Sequence, residues 1–304
     1  MHQNTLKKEY SFEGIGLHTG KFAHLTLCPA PENTGIRFLR TDLGADTFID
    51  ALAENVSNTA RSTTISSGDA KAVTVEHLLS ALTGLGVDNA LIKLDNDEVP
   101  ILDGSARLYA EAIRRDGLQP QGAPRKYIDI DREIEVRDEK SGAWVRITPA
   151  GEPSYDLTTD FNSRVLGVQR THWDLSVDYA DEFAPCRTFV FFHELLPLAR
   201  MGLIKGGDIE NAIVVAEHPV SDADLEEVCR LLGKPLMHVN KEGYLSNLIL
   251  HFPDECGRHK MLDLLGDLRL AGGYLNATIT AYKSGHTINT NAAKALRAAL
   301  NPTK

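Results

Sequence analysis

His259 and Asp263 stand four residues apart in the run His259-Lys260-Met261-Leu262-Asp263, and Asp267 follows four further on. On a helix that spacing puts the imidazole and both carboxylates on one face, where His259 and Asp263 can share a metal ion. Their neighbours Met261, Leu262, Leu264, Leu265 and Leu268 are apolar, and an acid buried among them is costly unless a partner or cation meets it. The same spacing also occurs on solvated helices that bind nothing. A second group is Glu76-His77, at the start of an apolar stretch. Adjacent helical residues point about 100° apart, so the two can divide labour, the imidazole ligating and the carboxylate approaching water. A glutamate at a helix start is equally explained by the helix dipole. The third group is Lys283-Ser284-Gly285-His286, read as a loop after the last strand. There His286 can be a cationic acid held by Asp267, or an ordinary surface histidine. His77, His259 and Asp263 together offer three N/O ligands and leave one position open, the pattern of a catalytic rather than a structural zinc.

What brings these residues together is an apparent repeat. Pro120-Gln121-Gly122-Ala123-Pro124 reads as a boundary, because its prolines cannot continue a helix and it lacks large apolar side chains. It divides the chain into 1–122 and 123–304. Thr26-Leu27-Cys28-Pro29-Ala30 and the strand Ile36 to Leu39 match Arg146-Ile147-Thr148-Pro149-Ala150 and Tyr155 to Thr158. Glu76-His77 opens a helix with Gly84 seven residues after the histidine, and Arg258-His259 opens another with Gly266 at the same offset. Each leads to a short strand, Asn89 to Ile92 and Asn276 to Ile279, and each half closes with a helix, Ser105–Arg115 and Asn291–Leu300. The expected fold class is α+β: two related domains, each a mainly antiparallel sheet with two helices, the helix layers packed face to face. Two stretches fall outside the repeat. Val56 to Ser67 reads as a polar loop rich in Thr and Ser; Phe189 to Pro219 is unusually apolar and can either line a site for an apolar ligand or pack on the core.

Composition narrows the class. The chain has 304 residues, 42% hydrophobic and 24% charged, as soluble globular proteins do. Its net charge of −10 disfavours nucleic acid as a partner, which needs a basic face. No apolar run approaches the roughly 20 residues of a membrane span, and the start, Met1 to Glu9, lacks a signal-peptide core. Cys28, Cys186, Cys229 and Cys256 are far apart and read as free thiols of a reducing cytoplasm.

Six motifs, in order, resemble the UDP-3-O-acyl-N-acetylglucosamine deacetylase family, the zinc amidases of lipid A biosynthesis. They are Gly14-Ile15-Gly16-Leu17-His18-Thr19-Gly20, Val75-Glu76-His77-Leu78, Ile101-Leu102-Asp103-Gly104-Ser105, Arg187-Thr188-Phe189, the segment Arg258 to Leu268, and Ala281-Tyr282-Lys283-Ser284-Gly285-His286. The resemblance runs from about Leu6 to Asn289. It implies hydrolysis of the N-acetyl group of a UDP-3-O-(3-hydroxyacyl)-N-acetylglucosamine by one Zn2+ per chain, in a cytoplasmic, monomeric enzyme. It makes His77, His259 and Asp263 the zinc ligands, Glu76 the general base, and His286 the cationic partner oriented by Asp267. Thr188 would hydrogen-bond the water or the developing oxyanion, and Lys260 and Lys283 would face the polar head of the nucleotide sugar. The two unmatched stretches correspond to the family's inserts, the second forming an acyl-chain passage with Phe189, Leu195, Gly207, Ala212 and Val214. Ser62 stands where some members carry a cysteine, and Glu194 where an aspartate often contacts substrate. Some relatives continue into a dehydratase domain; this chain stops at Lys304, so that activity is not expected. A tail-less sugar deacetylase and a protein with a purely structural zinc are the competing classes.

Overall fold

The computed structural model describes residues 1–202, 204–246 and 248–300. Its frame is two sheets of the same design. In the first, Tyr10–Ile15, Phe22–Pro29, Ala90–Leu94, Ile36–Arg40 and Phe48–Asp50 lie side by side. In the second the order is Ile134–Arg137, Trp144–Pro149, Tyr274–Tyr282, Ser154–Asp160 and Val168–Asp174, with Tyr127–Asp129 added beside the start of Tyr274–Tyr282. In each half the strand latest in sequence is inserted at the centre, antiparallel to one neighbour and parallel to the other. The equivalence extends to register: Pro29 faces Ala90, and Pro149 faces Ala277. The strands form because β-branched and large apolar residues alternate with polar ones. Ala23, Leu25 and Leu27, like Val145 and Ile147, point into the core.

Between the sheets lie the helices Glu76–Gly84 and Arg107–Asp116 of the first half and Glu255–Leu268 and His286–Leu300 of the second. Glu76–Gly84 packs on Glu255–Leu268 at the centre of one continuous core, which holds Leu78, Leu79 and Leu82 together with Met261, Leu264 and Leu265. The two matched glycines each make room for a neighbour. A Cβ at Gly84 would overlap the ring of Tyr179, and one at Gly266 would overlap the carbonyl of Glu76.

The structure departs from the expectations at four places. Leu118–Pro124, which includes the expected boundary, is a strand antiparallel to His2–Leu6; proline is tolerated because this two-stranded sheet consists of edges only. Val56 to Ser67 is not a loop. Val56–Asn58 and Thr64–Ser67 join Ala70–Val73 in a three-stranded antiparallel sheet, with Thr63, Thr64 and Ile65 buried. Threonine, read as a polar loop former, here acts as a β-branched strand residue. The helix that carries His259 and Asp263 begins at Glu255, so His259 lies a full turn inside it, whereas His77 is the second residue of its helix. The last helix begins at His286, not Asn291; Thr287, Ile288 and Thr290 are weak helix formers that tertiary contacts hold in place.

Phe189 to Pro219 contains a β-α-β unit. Strands Phe189–Phe191 and Ile213–Val215 pair in parallel, the helix Phe192–Arg200 crosses between them, and Asp222–Leu232 packs on that helix. Phe192, Leu195, Val214 and Val228 form a separate small core. Among the described residues no helix is long and apolar enough to cross a membrane. The four cysteines are buried and unbridged.

Candidate active site

His77 projects from the first turn of its helix and His259 and Asp263 from successive turns of theirs. The close approach at Gly266 brings the two helices near enough for the three side chains to meet. One ligand atom from each lies within 4.8 Å of the others. His77 Nε2 is 3.6 Å and His259 Nε2 3.4 Å from Asp263 Oδ1. Bonds of about 2.0–2.1 Å in tetrahedral geometry set neighbouring ligand atoms roughly 3.3 Å apart. Asp263 Oδ1 is buried without a hydrogen-bond partner, whereas Oδ2 accepts from Lys260 Nζ at 2.9 Å. His259 Nδ1 bonds the carbonyl of Cys186 at 3.0 Å, which puts the proton on that nitrogen and leaves Nε2 a lone pair. Burial lowers the pKa of both imidazoles, His77 to about 3, and so keeps them neutral. Burial opposes ionisation of Asp263, but the positive charges of Lys260 and His286 outweigh it and hold the carboxyl below its usual range. Two neutral imidazoles and an anionic oxygen with no partner make a donor set that fits a divalent metal such as zinc.

Beside this cluster runs a second chain of polar groups. Glu76 Oε1 is 3.7 Å from His286 Nε2, and His286 Nδ1 is 3.0 Å from Asp267 Oδ2. Thr63 ties the two acids down. Its amide donates to Glu76 Oε2 at 3.0 Å and its hydroxyl to Asp267 Oδ1 at 2.6 Å, while Asn289 Nδ2 donates to Asp267 Oδ2 at 3.0 Å. Burial pushes Glu76 up to about 8, with Asp267 and Asp263 adding to the rise. A nearby dication would favour the carboxylate again. Burial disfavours charge on His286, yet Asp267 and Glu76 overcome it and raise the group to about 9. The imidazolium is therefore the resident form at neutral pH.

These groups open onto a cavity of about 290 Å³. Of the residues singled out in the sequence, Glu76, His77, Thr188, His259, Lys260, Asp263 and His286 line its polar end. Phe189, Glu194, Leu195, Gly207, Ala212 and Val214 line the rest. Asp267 lies behind His286 and is fully buried. Ser62 is buried next to Thr63 and does not line the cavity. Lys283 is also off the lining; its Nζ sits 3.4 Å from Asp160 Oδ2. The spacing of motifs missed several contributors. Thr63 and Asn289 act through contacts 13 to 204 residues distant. His18 lines the cavity with its Nε2 buried and unpartnered, and the Gly14–Gly20 motif was its only signal. Phe161, which does not line the cavity, is an exposed ring 5.3 Å from Phe189 and next to Asp160.

The family model described as UDP-3-O-acyl N-acetylglycosamine deacetylase matches residues 3–228 and 234–298. A bifunctional LpxC/FabZ enzyme of Porphyromonas gingivalis is 41% identical over 97% of this chain and 64% of its own length. UDP-3-O-acyl-N-acetylglucosamine deacetylases of Teredinibacter turnerae and Helicobacter hepaticus are 40% and 39% identical. Those matches cover 94% and 95% of this chain, and 87% and 88% of the relatives. The chain thus spans 64% of the bifunctional relative.

Proposed function

The chain belongs to the UDP-3-O-acyl N-acetylglycosamine deacetylase family, and on that premise we propose that it hydrolyses the N-acetyl amide of a UDP-3-O-(3-hydroxyacyl)-N-acetylglucosamine, releasing acetate and the free amine in lipid A biosynthesis. The observation that carries this reading is a single cavity with two unlike ends. A His/His/Asp cluster with an acid and an imidazolium stands at one end, and Leu195, Ile209 and Val214 form an apolar wall at the other. The first end suits an amide and the second a hydrocarbon tail, at roughly 0.8 kcal/mol per buried CH2. A tail-less sugar needs no such wall.

His77, His259 and Asp263 would hold a zinc ion. Bound there, zinc supplies Lewis acidity towards the amide carbonyl and makes water at the site easier to deprotonate. Glu76 Oε1 accepts the water proton as the nucleophile attacks the amide carbon. The imidazolium of His286 places positive charge against the developing oxyanion or gives its Nε2 proton to the leaving amine; Asp267, on Nδ1, fixes the ring for either role. The hydroxyl of Thr188, in the same cavity, donates to the oxyanion. Lys260 neutralises the outer oxygen of Asp263 and presents positive charge to the nucleotide head. Phe161, exposed beside Phe189, offers a flat face on which a planar base can stack. The protein works in this reading as a cytoplasmic monomer.

The test is acetate release from the acylated UDP-amino sugar by wild-type protein and Glu76→Gln. We expect turnover to fall at least about a hundredfold with bound zinc unchanged, the usual worth of a general base. Equal turnover by the two proteins would remove Glu76 from the reaction, and no acetate from the wild type would remove the reading altogether.

A further inference from the structure

Two of the six motifs take no part in the chemistry above: Gly14 to Gly20 and Ile101 to Ser105. The structure puts both against the same short piece of the second insert, Lys205–Asn211, one at each end. At the first end Gly206 lies on the backbone of the Gly14–Gly20 turn. Its amide donates to Leu17 O at 3.2 Å, and a Cβ on Gly206 would overlap the carbonyl of Gly16. A Cβ on Gly20 would come within 2.7 Å of Lys205 Cβ. At the other end Gly104, with φ +81, lies so close to the Asn211 carbonyl that a Cβ would overlap it. The piece is also braced internally, since Asn211 Nδ2 donates to Gly206 O at 3.0 Å and Asp208 N donates to Asn211 Oδ1 at 2.8 Å.

The turn that receives Gly206 is built on Glu98, a carboxylate 1% exposed. It accepts from the amides of His18 at 3.0 Å and Thr19 at 2.7 Å and from Thr74 Oγ1 at 2.7 Å. A Cβ on Gly16 would overlap this carboxylate as well. A buried carboxylate that receives three donors holds them in one arrangement, because no neighbouring conformation satisfies it. Gly207, Asp208 and Ile209, in the piece so gripped, line the cavity, and Ala212 follows directly.

We propose that the Gly14–Gly20 and Ile101–Ser105 motifs are the seat of the insert, and that Glu98 is a positioning residue for recognition of the acyl tail. It acts through the turn at Leu17 on the wall formed by Gly207 to Ala212. This rests on the proposed function, since it needs a substrate with a tail. The first half of the chain thereby shapes a passage whose walls come mostly from the second.

The experiment compares steady-state kinetics on the acylated UDP-amino sugar and on the same sugar without its acyl chain. Gly206→Ala changes no side chain of the polar end and displaces the wall against the Gly16 carbonyl. It should raise KM for the acylated substrate about tenfold, the loss of roughly two CH2 contacts. Its kcat should stay within about twofold, and its kcat/KM on the tail-less substrate should not change. Glu98→Gln keeps the shape but replaces an accepting oxygen with a donor. It should show the same tail-specific rise in KM, with kcat free to fall because His18 moves too. Bound zinc should equal the wild-type value in both. Equal losses on the two substrates, or no loss on the acylated one, would overturn the proposal. A wild-type protein that turned over both substrates alike would overturn the acyl-tail reading itself.

Discussion

Glu76 Oε1 and His286 Nε2 face each other across 3.7 Å, and the balance of charge between them is set by what lies behind each. Behind His286 is Asp267, buried and held by Thr63 and Asn289. Because the imidazole is raised to about 9, its proton is present throughout the neutral range and is lost as pH rises through about 9. If the imidazolium serves the reaction, kcat/KM falls on the alkaline side near that pH. Asp267→Asn removes the anion that contributes most to the rise and leaves burial as the main influence, which disfavours the charged ring. Its alkaline limb should therefore move to lower pH by more than about one unit. A limb that stays in place would separate Asp267 from the charge of His286.

The Glu255–Leu268 helix carries two of the three grouped donors, and its first residue anchors it. Glu255 is fully buried and accepts from Arg187 N, Nε and Nη2 and from His251 N. Arg187 in turn sits between Cys186, whose carbonyl orients His259, and Thr188, whose amide bonds Gly104 O. The ion pair thus fixes both the helix and the segment before Phe189 whose carbonyl orients its histidine. Groups that orient metal ligands typically change affinity about 10–100-fold when altered. Glu255→Gln should weaken zinc binding within that range, as read by competition with a chelating dye. Unchanged affinity would confine the pair to a structural role. On the face that it shares with His259 and Asp263, Gly266→Ala places a methyl group against the Glu76 carbonyl. It should destabilise the protein by about 1–3 kcal/mol in urea unfolding, as overpacking does.

At the scale of the whole molecule, the grouped donors come from both halves, His77 from one and His259 and Asp263 from the other. The central core is likewise shared. A metal held there binds only the assembled pair, so loading it should raise the stability of both halves together. At a free metal concentration 100 times Kd the gain is about 2.7 kcal/mol. Urea unfolding with and without chelator checks this. One transition that shifts as a unit is expected; an unshifted midpoint would contradict a metal at the junction.

Much of this was legible before any fold was known, wherever the relevant geometry is local. The four-residue spacing of His259, Asp263 and Asp267 is dictated by the pitch of a helix, and the paired patterns around Pro29 and Pro149 reappear as equivalent registers in the two sheets. Local propensity misled where distant partners outweigh it. Leu118–Pro124 is a strand because His2–Leu6 pairs with it, and His286–Asn289 is helical while Asp267 holds both His286 and Asn289. The roles of Thr63, of the Cys186 carbonyl and of Glu98 had no sequence signature, since each acts through a bond to a residue 13 to 204 positions away. Residue types and helical spacing determined which chemistry was available to this chain. Only the tertiary structure decided which groups meet, how each is charged and what shape of cavity they face, because burial and long-range contact exist only once the chain has packed.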